Sequence, residues 1–271
     1  MTKKEKEFVA VVWEYYRRHG RHDLPWRLTK DPYKILVSEV MLQQTQVDRV
    51  IPKYESFLKK FPTVERLSKA PLKDVLILWQ GLGYNRRAKK LHECAGYVLE
   101  KYGGVFPKIY DELLQLPGIG PYTASAVMAF AFDISTVLIE TNVRTVYLHH
   151  FFKNKTEISD VELLPIIQKT LDVASPREWY YALMDYGSYI KKTFGNKNTQ
   201  SAHYTKQSAF KGSDRQIRGM VLRQLGQKRQ TRRQLHAHLS AFEDIRIDAQ
   251  LLRLSTEGLI VKMGAWYQLP L

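Results

Sequence analysis

Helical spacing dominates the hydrophobic pattern of this chain. In KEKEFVAVVWEYYRRHG the apolar side chains Phe8, Val11, Val12 and Tyr15 recur at helix intervals, and Gly20 supplies a stop. Asp31-Pro32 reads as a cap followed by a first-turn proline, which predicts a helix from Pro32 to about Gln44 and a second one towards Phe61. TVERLSKA and PLKDVLILWQ predict two short helices, Pro71 opening the second, and NRRAKKLHECAGYVLEKYGG predicts a longer one closed by glycines. IYDELLQL, the small-residue run PYTASAVMAFAF, TNVRTVYLHHFF (with Thr141 or Asn142 near its cap), DVELLPIIQKTLDVA and PREWYYALMDYGSYIKKTF complete the series. No alternating pattern precedes residue 255, and no repeat period is visible.

The pattern changes after Phe194. GNKNTQSAHYTKQSAFKGS is polar and free of acids, and reads as a linker or ordered loop. Beyond it, DRQIRGMVLRQLGQ, TRRQLHAHLS and DAQLLRLSTEGL predict three helices, and IVKMGAWYQLPL a hairpin with Met263-Gly264 near its tip. Three helices and a terminal hairpin point to a small winged helix-turn-helix. The expected organisation is therefore an all-α domain over 1–195, a connecting loop over 196–212 and a winged-helix domain over 213–271.

Composition sharpens this outline. Hydrophobic residues make up 44% of 271, enough for a substantial core, and the net charge of +15 points to a polyanionic partner, nucleic acid first. Cys94 is the only cysteine, so neither an internal disulfide nor a four-thiolate cluster can form. No apolar run has the length of a signal peptide or membrane span, so the expected setting is cytoplasmic and nucleoid-associated, with no membrane partner and a monomeric state.

Two stretches carry candidate chemistry. LPGIGPYTA makes a tight Pro-Gly-x-Gly turn between two helices, and the N–H groups opening the second helix suit a DNA phosphate near Gly118 and Gly120. Glu39 lies mid-helix among Val37, Val40, Met41 and Leu42, where apolar surroundings should raise its pKa as a general acid requires. With LPWR at 24–27, DPYKILVSEVMLQQTQVDRVIPKY at 31–54, GLGYNRRAKKLH at 81–92, LPGIGPYTA at 116–124 and IETNVRTV at 139–146, the chain resembles the helix-hairpin-helix DNA glycosylases, the MutY-type adenine glycosylases most closely.

The resemblance covers about Asp23 to Ile190 and implies an all-helical, two-lobed domain that flips a base out of duplex DNA and hydrolyses its N-glycosidic bond. It implies that Glu39 protonates the departing base. It places Glu140 where the family carries an aspartate that supports or attacks the sugar cation, with Asn142 beside it. Tyr122 stands where the related endonuclease III enzymes carry a Schiff-base lysine, which implies base removal without strand cleavage. Trp26, Arg27 and Asp185 are implied in the base pocket, and Gln44 and Tyr84 as wedges into the duplex. Arg86, Arg87, Lys89, Lys90 and Arg144 are expected at phosphates, together with Arg232 and Arg233 of the terminal module.

The chain departs from this pattern at three points. Glutamate at 140 extends an aspartate's reach by one methylene, roughly 1.5 Å of covalent chain. The four cysteines of the family's iron–sulfur cluster are absent, so no metal or cofactor is expected beyond a cation at the helix-hairpin-helix turn. The residues after 212 are too few for the family's nucleotide-hydrolase-like domain. The leading expectation is excision of adenine opposite 8-oxoguanine or guanine. Two others stay open: excision of thymine, uracil or a modified base opposite guanine, and a catalytically weak DNA-binding protein.

Overall fold

The computed structural model describes residues 1–153 and 155–271. The chain forms two compact units from interleaved stretches: Met1–Leu36, Lys108–Leu114 and Ile119–Lys206 make the first, and Val37–Pro107, Gln115–Gly118 and Gln207–Leu271 the second.

The first unit contains α1 (Lys3–His19), the opening turn of α2 (Pro32–Leu42), α7 (Tyr110–Leu114), α8 (Pro121–Phe132), α9 (Thr141–Phe151), α10 (Asp160–Thr170), α11 (Pro176–Phe194) and a 3₁₀ turn at Lys197–Gln200. Thr2 and Glu5 make a capping box that starts α1, and Phe8, Val12 and Tyr16 are buried on its inner face. α8 buries every residue from Thr123 to Ala131. A helix apolar all round belongs at the centre of its unit, and alanine and serine let α11 approach it. There the Phe130 and Tyr181 rings stack at 4.6 Å. The extended run between α8 and α9 is clamped by Tyr180, whose hydroxyl accepts from the Leu138 N–H at 3.0 Å and donates to the Thr136 carbonyl at 2.7 Å. That clamp fixes the approach to Glu140.

The second unit contains the rest of α2, then α3 (Val47–Lys60), α4 (Val64–Ser68), α5 (Leu72–Trp79), α6 (Arg86–Tyr102), α12 (Asp214–Gln227), β1 (Gln230–Thr231), α13 (Arg232–His238), α14 (Asp244–Thr256), β2 (Val261–Met263) and β3 (Trp266–Gln268). Fully buried Trp79, Phe57 and Leu67 mark its core. The strands form one antiparallel sheet in the order β1-β3-β2. α12 packs on α5, where the Gln80 amide donates to the Leu222 carbonyl at 3.4 Å. Lys89 donates to the Glu257 carbonyl at 2.6 Å, and the Lys73 N–H to the Pro270 carbonyl at 3.0 Å.

Two differences from the sequence expectation have local causes. α2 stops at Leu42 rather than Gln44, because Gln44 takes φ +56°, a left-handed conformation that a right-handed helix cannot contain. β1 was not expected. Two residues are too short to show a strand period, and the pairing of Gln230 with Tyr267 creates it.

Candidate active site

Glu140 is the cap of α9. Its backbone is extended (φ −126°, ψ 179°), and its carboxylate turns back over the helix start. Oε1 accepts from the backbone N–H of Asn142 at 2.7 Å and of Val143 at 2.8 Å, and the Asn142 side-chain amide donates to Oε2 at 3.3 Å. Thr141 and Asn142, expected near the cap, are the first two residues of the helix, and the cap itself is Glu140. The longer glutamate performs the capping that shorter acids usually supply. Burial pushes the Glu140 carboxyl above its ordinary value, against the opposing pull of these N–H groups and of Arg144. Arg144 is itself held by a two-pronged pair with Asp160, both contacts at 2.7 Å.

The close approach of α11 keeps Asn142 in place. A Cβ on Gly187 would lie 2.3 Å from the Asn142 carbonyl oxygen, so only glycine fits there. From the other side Asn198 donates to the Thr141 carbonyl at 3.0 Å and to the Thr145 hydroxyl at 2.6 Å. Gln200 donates to the carbonyls of Phe152, Lys153 and Lys155. These amides stand in the stretch where the resembled family places cluster cysteines. Amide and hydroxyl side chains do not offer the thiolates that an iron–sulfur cluster needs, so the residues present do not fit one. Cys94 lies in the second unit, buried, with its thiol pushed up to about 12 by desolvation.

Asp185 and Arg27, both expected in a base pocket, bind each other. Arg27 reaches Asp185 at 2.7 and 2.9 Å, and Arg21 adds its backbone N–H at 2.8 Å and its Nε at 2.7 Å. Burial alone would push the Asp185 carboxyl up; the Arg27 and Arg21 contacts outweigh it and hold the group below the usual range. Arg27 also lies 4.4 Å over the Tyr181 ring, and buried Arg177 donates to the Arg27 and Thr29 carbonyls. Trp26 is buried in the same unit. Tyr122 follows Pro121 in the first turn of α8 and is half-buried.

In the second unit Glu39 is 5% exposed, within a stretch of α2 that is buried at every residue from Val37 to Met41. Arg87 is directed inward. Its guanidinium donates to the carbonyls of Val40, Met41, Gln43, Leu82 and Gly83, and desolvation lowers its pKa to about 10. It therefore stitches the end of α2 to the loop before α6, and presents Gln44 and Tyr84 at the surface. Both take left-handed backbones, φ +56° and +47°. Gly118 has φ +80°, and a Cβ there would meet the Lys90 Cβ at 2.6 Å, which accounts for the glycine in the turn. Arg86 and Arg233 are exposed, whereas Arg232 is paired with Asp248.

Several of these residues carry little signal in the sequence. Arg21, Arg177 and Asn198 have no motif. Gly187 had a signal, a glycine interrupting a helical pattern, which marks close packing.

A mostly helical first unit, with Gly120 leading into buried α8, is the arrangement that the helix-hairpin-helix resemblance implies. The sequence profile of the HhH-GPD superfamily base excision DNA repair proteins matches residues 37–241, and the chain belongs to that superfamily. It is similar to the adenine DNA glycosylase of Buchnera aphidicola subsp. Baizongia pistaciae, 37% identical over 187 residues, 68% of this chain and 52% of the relative. It is 36% identical over 223 residues to that of Mycolicibacterium smegmatis, covering 75% of each. Among solved structures, a thermostable thymine-DNA glycosylase superposes with a TM-score of 0.64 at 30% identity, over 72% of this chain and 91% of that one. A non-covalent endonuclease III–DNA complex shares the fold, with a TM-score of 0.59 at 21% identity over 71% and 89%. The chain spans about half the length of the Buchnera relatives.

Proposed function

We propose that this chain is a DNA glycosylase that removes a base without cutting the strand, with adenine opposite 8-oxoguanine or guanine as its substrate. The observation that carries the reading is the Glu140–Asn142 constellation: a carboxylate raised by burial yet held by three N–H donors at the start of α9. Such a group can face a sugar cation with little rearrangement. The names of the curated relatives support the choice of adenine.

The chemistry divides between two acids. Glu39, buried in α2, gives a proton to the leaving base as the N-glycosidic bond breaks and its electron pair departs with the base. Glu140, ionised, stabilises the cationic sugar. Water adds to the sugar carbon, loses a proton and leaves an abasic site. Tyr122 has no amine to form a Schiff base, which supports hydrolysis alone. Gln44 and Tyr84 fill the gap in the duplex, and the N–H groups of α8 after Gly120 meet a phosphate. The order α12-β1-α13-α14-β2-β3 supports a winged helix as the terminal module.

A second reading has one observation in its favour, the 30% identity to a thymine-DNA glycosylase. Duplexes carrying adenine, thymine or uracil opposite guanine, and adenine opposite 8-oxoguanine, separate the two. The expected result is alkali-labile sites at adenine, abolished in Glu39→Gln and Glu140→Gln. Release of thymine or uracil alone selects the second reading, and full activity in Glu140→Gln overturns the mechanism.

A further inference from the structure

The polar stretch after the first unit returns to the surface loops that Arg87 stitches together. Gln207 donates through one amide nitrogen to the Tyr84 hydroxyl and to Gln44 Oε1, the latter at 3.2 Å. Arg215, in the first turn of α12, donates from Nη1 to the same Tyr84 hydroxyl at 3.0 Å, and its guanidinium carbon lies 5.7 Å from the Tyr84 ring centroid. Arg87 stands 5.6 Å from that ring. Arg215 is aimed by Ser208, whose carbonyl and hydroxyl both accept from its other terminal nitrogen. Four residues from three separate stretches thus meet at one exposed point of the second unit.

Those contacts fall on the residues least suited to hold their own conformation. Gln44 and Tyr84 are non-glycine residues with left-handed backbones, φ +56° and +47°. Such backbones persist only where the surroundings over-determine them. Arg87 supplies that support from beneath through main-chain carbonyls. Gln207 and Arg215 supply it at the side-chain tips.

We propose that Gln207 and Arg215 are positioning residues for base extrusion: they hold Tyr84 and Gln44 preformed as one wedge before DNA arrives, and so make extrusion depend on the terminal module. The proposal rests on the reading of Gln44 and Tyr84 as duplex wedges. Its physical content is preorganisation. A tyrosine already fixed loses less rotational freedom on entering the base stack than one that swings freely. Arg215 is the stronger of the two, because its donor is charged and it also flanks the ring.

The test uses the full chain and a duplex with 2-aminopurine at the mispaired position, whose fluorescence rises when the base leaves the stack. The variants are Arg215→Ala, Arg215→Lys, Gln207→Ala, Tyr84→Ala, and Arg215→Ala in the Tyr84→Ala background. Arg215→Ala is expected to lower the extruded fraction about tenfold, equivalent to about 1.4 kcal/mol, and Gln207→Ala about threefold. Lysine at 215 should recover part of the signal. In the Tyr84→Ala background the Arg215 effect should vanish, a coupling that a general phosphate contact would not show. Urea midpoints of all variants report whether folding has changed; Gln207 is exposed, so its variant tests the idea even if Arg215→Ala is unstable. An equal loss with and without Tyr84, or no loss in either variant, overturns the proposal. If Tyr84→Ala extrudes the base as well as the parent chain, the wedge reading itself fails and the proposal with it.

Discussion

Asp185 and Glu140 are two acids of the same unit driven in opposite directions. Asp185 is caught between Arg27 and Arg21, with every close contact a charged or backbone donor, and its carboxyl is held low. Glu140's hydrogen-bond partners among the described residues are neutral N–H groups, Arg144 acts on it at a distance, and its carboxyl is pushed up. The charge of Asp185 is compensated within the unit by Arg27 and Arg21. Glu140, at the opening of α9, is held by neutral donors, and the proposed mechanism calls on the charge they leave uncompensated. Burial is common to both, so the partners decide.

The largest effect expected from breaking the comparison is at Asp185. Asp185→Asn leaves buried Arg27 without its counter-charge and should cost about 3–5 kcal/mol of stability in urea unfolding. Glu140→Gln keeps the acceptor that caps α9 and should change stability little, yet lower base release at least about a hundredfold in single-turnover assays. Glu140→Asp tests the extra methylene. If the glutamate's length is what reaches the α9 N–H groups, aspartate should reduce the rate as well.

Gly187→Ala comes next. Its Cβ must push α9 and α11 apart at Asn142, which should cost about 1–3 kcal/mol and slow base release more than an equal destabilisation elsewhere. Asn198→Ala should cost about 1–2 kcal/mol, and show as faster amide exchange at the start of α9.

The smallest effect is the pH dependence, and its sign separates the two acids. A depressed folded pKa stabilises the fold above the unfolded carboxyl value, near 4, and that stability is lost as pH falls through the folded value. Asp185→Asn should therefore flatten the acid side of the stability profile. A raised folded pKa works the other way: Glu140 costs stability as pH climbs from the unfolded value through the folded one, and Glu140→Gln should remove that decline. Opposite changes in the two profiles are the expected result; parallel changes would show that the comparison is mistaken.

Much of this was legible beforehand because helical periodicity is a local property. Capping residues, prolines and apolar spacing placed most helices within about two residues; α10 ends four residues earlier and α14 begins four residues earlier than expected, and α2 overran because nothing in MLQQTQ announces the left-handed turn at Gln44. Glu140 and Asn142 were legible as a pair through their motif, but not as cap and donor, since Thr141 and Asn142 are the better capping types. Arg87 read as one more surface cation in a basic run. Its inward direction follows from five carbonyls that α2 and the preceding loop gather around it, and no run of charges encodes that.

Residue type and short-range spacing set the helices, the glycine turn, the basic character, the lack of cluster cysteines and the glutamate at 140, because each is a local property of the chain. Which charged groups are paired, and with what, comes from contacts between distant parts of the chain. Asp185 meets Arg27 across 158 positions, Gly187 admits the Asn142 carbonyl, and Gln207 reaches Tyr84 across 123. The worth of a charged or polar side chain depends on what burial removes and which partner replaces the water, and those neighbours come from distant parts of the chain.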